Sequence, residues 1–201
     1  MVRSNQNEIP STFLSNRKFN ISMSTQTEIP PLKSLEYIPY LGENGGIEED
    51  FSRKIGIYAI FNREKVLQFV GYSRDIYVSL KQHLVRQPQN CYWLKVQTIT
   101  RPSRTVLEEM RKAWIAENGT IPPGNSTDEA KWTQAIDAKL AMTETEKAEY
   151  KQGTELEKIR LLKKIARRVE EEIQGQLKNR GVEMDIRFNP KLKEQGLLDL
   201  K

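Results

Sequence analysis

The chain holds one histidine in 201 residues. It is His83, four positions after Ser79, so a helix carrying both presents them on one face. Imidazole is the side chain whose ordinary pKa lies nearest neutrality, which makes His83 the first acid/base candidate. A buried or surface histidine with no role is the plain alternative. Tyr58 and Phe69 fall in two β-rich runs joined by a short polar connector, so their rings become neighbours across a hairpin. A phenol can hydrogen-bond and relay a proton; a phenyl ring can do neither. The single cysteine, Cys91, excludes an internal disulfide and a cysteine-cluster metal site. It points to a reducing, cytoplasmic compartment.

Cations are the second chemical resource. The net charge of +5 is unevenly spread: residues 51–125 carry 12 Lys/Arg against 5 Asp/Glu, whereas residues 1–50 carry 4 against 7. Arg63, Lys65, Arg74, Lys81 and Arg86, with Arg53, Lys54, Lys95, Arg101 and Arg104, are placed to meet phosphates. Tyr72, Tyr77, Tyr92 and Trp93 offer stacking faces. A soluble basic domain with no polyanion partner is the bland reading of the same charge. For Trp93 and Trp114, a place in the core is the stronger reading.

These groups need a scaffold, and the patterning supplies one. Residues 1–45 read as a flexible tail, broken by Pro10, Pro30, Pro31 and Pro39. Met23 is an alternative start, and Glu8 argues against a transit peptide. Ile55–Asn62 and Val66–Val70 read as hairpin strands. Ser73 offers an N-cap and Asp75 a first-turn acid, and Pro88 ends that helix. Cys91–Thr100 is a third strand, and Ser103 opens a second helix. The order β-β-α-β-α gives an α+β domain over 46–125 with a central antiparallel three-stranded sheet. Residues 126–201 read as a helical extension with a terminal strand. There, Thr127-Asp128-Glu129 restarts a helix bearing Trp132, Ile136 and Leu140, and Thr143 and Glu146 form a capping signal. Apolar residues at 156, 159, 162, 166, 169, 173 and 177 make a seam fit for a partner helix. The strict alternation Val182, Met184, Ile186, Phe188 predicts a half-buried strand. No apolar run reaches membrane-spanning length.

Gly56-Ile57-Tyr58 followed by Phe69-Val70-Gly71 resembles the paired signature of the GIY-YIG nuclease superfamily. The helical extension resembles a cyanobacterial and plastid branch. The likeness covers roughly 75 residues. It implies a catalytic tyrosine at Tyr58 and an acid/base group at His83. It also implies a metal glutamate, with Glu109 preferred over Glu108, and a site-orienting asparagine at Asn125 or Asn118. Two family positions are substituted: Phe69 lacks the expected hydroxyl, and Ser79 stands where a phosphate-clamping arginine belongs. Losing one such group costs about 100- to 1000-fold in rate. The implied function is therefore a GIY-YIG-fold nucleic-acid-binding protein with weak or lost cleavage, DNA being preferred over RNA. A working endonuclease using Mg²⁺ or Mn²⁺ is the second reading. A protein-interaction scaffold, self-associating through 156–177, is the third.

Overall fold

The computed structural model describes residues 30–100 and 103–201. The expectations for residues 1–29, Met23 included, and for Arg101 lie outside the described residues.

Four strands form one antiparallel sheet in the order β1-β4-β2-β3. They are β1 (Ile38–Pro39), β2 (Gly56–Phe61), β3 (Leu67–Ser73) and β4 (Trp93–Thr98). The three-stranded expectation is one strand short. Ile38 pairs with Leu94 and Pro39 with Trp93, so two residues of the expected tail extend the sheet. Proline is tolerated there because an edge strand can spare an N–H. The β2–β3 hairpin turns where the Asn62 carboxamide accepts from the Val66 amide at 2.8 Å.

Every residue of β2 is buried, since helices cover both faces of the sheet. Ile57, Ala59 and Phe61 face one layer with Leu107, Met110 and Trp114 of α2 (Arg104–Glu117). Tyr58 and Ile60 face the other, with Ile76, Leu80 and Leu84 of α1 (Ile76–Arg86). The second helix begins at Ser103 as the sequence predicts; the first begins two residues later than expected, with Asp75 and not Ser73 as its N-cap. The Asp75 carboxylate accepts from the Val78 amide, and Ser103 Oγ from the Val106 amide.

The C-terminal part departs further from expectation. The helix starting near Thr127 is only α3 (Glu129–Thr133); the chain then forms β5 (Ile136–Asp137) and a short 3₁₀ turn. Thr143 and Glu146 close a capping box on α4 (Glu144–Gln152), and Thr154 and Glu157 close another on α5 (Glu155–Asn179). The apolar stripe of α5 does not await a second copy. Ile165, Ala166, Val169, Ile173 and Leu177 bury in one core cluster with Tyr40, Ile47, Phe188 and Leu198. Only Leu156 and Ile159, at its first turns, stay exposed. Residues 182–188 alternate in burial but build no ladder: Phe188 alone makes a bridge, to Leu200. The partner of β5 is instead β6 (Leu197–Leu198). No described helix is long and apolar enough to cross a membrane.

Candidate functional site

The hairpin and α1 bring Tyr58, Phe69 and His83 together. The Tyr58 hydroxyl lies 2.9 Å from His83 Nε2. The Phe69 ring centre is 4.6 Å from the imidazole and 6.3 Å from the Tyr58 ring. Gly71 opposes Tyr58 across the hairpin. A Cβ there would stand 2.5 Å from the Phe69 ring and 2.8 Å from the Tyr58 oxygen, so only glycine lets the two rings close over the strand.

This cluster is sealed. Tyr58, Phe69 and His83 are 3%, 6% and 5% exposed. Trp132 of α3 is the cover: its ring stacks on Phe69 at 5.3 Å and 1°, and tilts over His83 at 5.6 Å. Gly124 allows that approach, since a Cβ would fall 2.7 Å from the Gln68 carbonyl and 2.8 Å from the Trp132 ring. Arg86 fixes the cover, donating to the Trp132 carbonyl at 3.0 Å and to Asp199 at 2.9 Å. Burial, with the Arg86 guanidinium adding to it, drives the His83 pKa down to about 3; only the Trp132 backbone opposes the shift. His83 is thus a neutral imidazole at ordinary pH, with Nδ1 unpartnered. Burial likewise pushes the Tyr58 phenol far up. A neutral phenol and a neutral imidazole shut from water form a packed hydrogen bond, with no room for a reacting group between them.

Ser79 stands near the Tyr58 phenol and slightly offsets its rise. Its Oγ donates to Ser73 Oγ at 2.8 Å. The other expected residues scatter. Glu109 is exposed on α2, and no group of three or more His, Cys, Asp or Glu side chains suited to a metal exists among the described residues. Asn125 clamps the outer edge of β3, accepting from the Val70 amide at 2.7 Å and donating to its carbonyl at 2.8 Å. Asn118 bonds Thr120, which is turn chemistry. Arg86 is spent on the cover and unavailable to phosphate. Lys95 is 5% exposed and donates to the Leu32 carbonyl. Arg63 lies over the Tyr92 ring at 5.6 Å, and Lys65 over Tyr37 at 4.7 Å. Trp114 is core, as read; Trp93 is only half-buried.

Cys91 is 0% exposed. Burial pushes its thiol up to about 12, against the smaller pull of Tyr40 and Arg180. Such a thiol presents no thiolate near neutral pH.

One open cleft lies across the sheet from the sealed cluster. Ile55, Tyr72, Ser73, Arg74, Arg104 and Leu107 line about 670 Å³. Glu108 Oε1 accepts from the Tyr72 hydroxyl and from Arg104 Nε, each at 3.0 Å. Those two bonds, Arg104 foremost, hold the Glu108 carboxyl below the usual range. Arg74 forms no ion pair among the described residues. Sequence reasoning named Tyr72, Arg74, Arg104 and Glu108 separately, and missed the cleft. The signal was present in the positions of Tyr72 at the end of a strand and Glu108 one turn into a helix.

No family model matches the chain. A curated protein, the bifunctional monothiol glutaredoxin-S16, chloroplastic, of Arabidopsis thaliana, is 34% identical over 107 residues, which is 51% of this chain. The chain spans only 32% of that protein's length, and the relative's name declares two functions. A glutaredoxin as relative overturns the expected GIY-YIG membership. It overturns with it the nuclease reading, the nucleic-acid partner, and Mg²⁺ or Mn²⁺ as cofactor. The sealed Tyr58–His83 pair and the substituted Phe69 and Ser79 agree with that correction. The scaffold reading falls too, since its seam is internal core.

Proposed function

We propose that this chain is a ligand-binding module of a glutaredoxin-type thiol-redox system, holding an anionic thiol peptide of the glutathione class in the Tyr72–Arg74–Arg104 cleft. It does no thiol chemistry with its own cysteine. The carrying observation is the charge pattern of the cleft. Two guanidiniums, Arg74 and Arg104, line it with an apolar floor of Ile55 and Leu107, and Glu108, outside the lining, holds Arg104 in place. Glutathione presents two carboxylates for the guanidiniums and an apolar thiol side chain for the floor. Arg104 is already oriented by Glu108, and its side chain is 84% exposed, leaving its terminal nitrogens free. Arg74 is exposed and can fork onto a carboxylate. The volume suits a small peptide, since ligand sites run to about 300–1,000 Å³. The relative's printed name supports the redox setting and also a plastid location for this protein. The buried Cys91 supports a binding role over a catalytic one.

Calorimetric titration with glutathione tests the reading. A dissociation constant of about 0.1–1 mM is expected, or roughly 4–5.5 kcal/mol of binding. S-methylglutathione should bind equally, because no thiol reacts. Arg74→Ala should weaken binding about fivefold, the modest figure fitting an exposed ion pair. Absence of heat, and of any shift of the Tyr72 resonances, at about tenfold excess over that range would falsify the proposal.

A further inference from the structure

We infer that the polar face of α5 is a docking groove for an acidic, amphipathic polypeptide segment of a partner protein. Arg160, Lys163, Lys164, Arg167, Arg168 and Glu171 line a cavity of about 490 Å³. A second, of about 240 Å³, shares Lys163 and Arg167 and continues to Lys191 and Lys193. The positions 160, 163/164, 167 and 171 recur every three to four residues, so they lie along one helix face. From Arg160 to Arg167 the helix rises about 10 Å.

Outside the groove, Lys147 is answered by Glu144 and Lys158 by Glu155, while Lys151 and Lys178, far apart from each other on α4 and α5, form no ion pair among the described residues. In the groove the balance fails. Lys163 is met by Glu194 at 2.8 Å, Arg168 by Glu146 at 2.7 Å, and Lys193 by Glu170. Arg160, Lys164, Arg167 and Lys191 form no ion pair among the described residues, and all four are exposed. Their lining holds only two carboxylates, Glu171 and Glu194. Four unanswered cations in a concave surface focus a positive field on whatever enters.

The apolar neighbours choose the class of occupant. Leu156 and Ile159, 58% and 36% exposed, precede Arg160 on the same helix. A segment with carboxylates on one side and aliphatic side chains beside them satisfies both features. No aromatic side chain lines either cavity, so bases would find no stacking platform. Only two exposed apolar side chains adjoin the cations, a poor design for a bilayer surface. This surface is independent of the Arg74–Arg104 cleft, and its fate does not bear on that reading.

Fluorescence anisotropy of a labelled short peptide rich in Glu and Leu, with the full chain as titrant, tests the inference. Saturable binding is expected, weakening severalfold as salt rises from about 50 to 200 mM. Lys164→Glu with Arg167→Glu should weaken it more than tenfold. Lys151→Glu with Lys178→Glu, the same charge change away from the groove, should leave it within twofold. All four residues are exposed, so circular dichroism and melting temperature should stay constant. Three outcomes overturn the inference: equal binding of a Gln-for-Glu peptide, indifference to the groove reversal, or tighter capture of phosphatidylglycerol vesicles or duplex DNA than of the peptide.

Discussion

Lowering the pH from 7.5 to 5.0 should destabilise this protein through one residue. His83 is the sole histidine, so the pH 5.0–6.5 interval lies between the carboxylates below and the terminal amine above. Its folded pKa is about 3 because burial and Arg86 disfavour the imidazolium. In the unfolded chain it titrates near 6.5. Between those values the unfolded state binds a proton that the folded state refuses. Stability is therefore fully present above pH 6.5 and falls as the pH drops below it, by about 1.4 kcal/mol per pH unit. At pH 5.0 the accumulated loss is about 2 kcal/mol, a substantial part of the ~5–15 kcal/mol of an ordinary domain. Urea denaturation at several pH values measures this directly. His83→Gln keeps a polar partner for Tyr58 but cannot titrate, so its curve should be flat over the same interval. If wild type and variant lose stability in parallel, or wild type loses none, the sealed neutral imidazole is wrong, and with it the role of Trp132 as a cover.

Two further outcomes follow from the same packing. Cys91 should resist iodoacetamide in native buffer and react readily in urea, because its thiolate is suppressed and shut from solvent; native labelling at a free-thiol rate would contradict its placement. Gly124→Ala should cost about 1–3 kcal/mol in urea denaturation, since the added methyl meets both a backbone carbonyl and the Trp132 ring; an unchanged midpoint would mean the cover packs elsewhere.

Much of the sheet layer was legible. The polar connector at Asn62–Lys65, the cap at Ser103 and the Thr143–Glu146 box are local chemistry, readable within a few residues; at the first helix the cap is Asp75, two residues past the Ser73 expected. What failed was non-local. Trp132 meets Phe69 from 63 positions away through a helix of five residues, too short to leave a period in the sequence. The α5 stripe revealed an apolar face but not its partners, because the same spacing serves a second helix or the chain's own core. Residues 182–188 kept the burial alternation of a strand without a neighbour to pair with. The two GIY-YIG-like triplets sit at a real hairpin, yet a triplet pair records backbone needs, and Gly71 is required here by two aromatic rings. Site chemistry was least legible. The sequence gathers Tyr58 and His83 but says nothing of the indole that closes over them.

Each margin of the large sheet is occupied at one place. Along β4 the last partner is two residues long and ends in a proline, which has no amide hydrogen to donate. Along β3 the Asn125 carboxamide takes both main-chain groups of Val70, copying with one side chain what a further strand would offer. Recruitment by strand addition is blocked at these positions, and so is the templated stacking that open margins invite. At these positions a visitor must be recognised by its charges and its shape, not by its backbone.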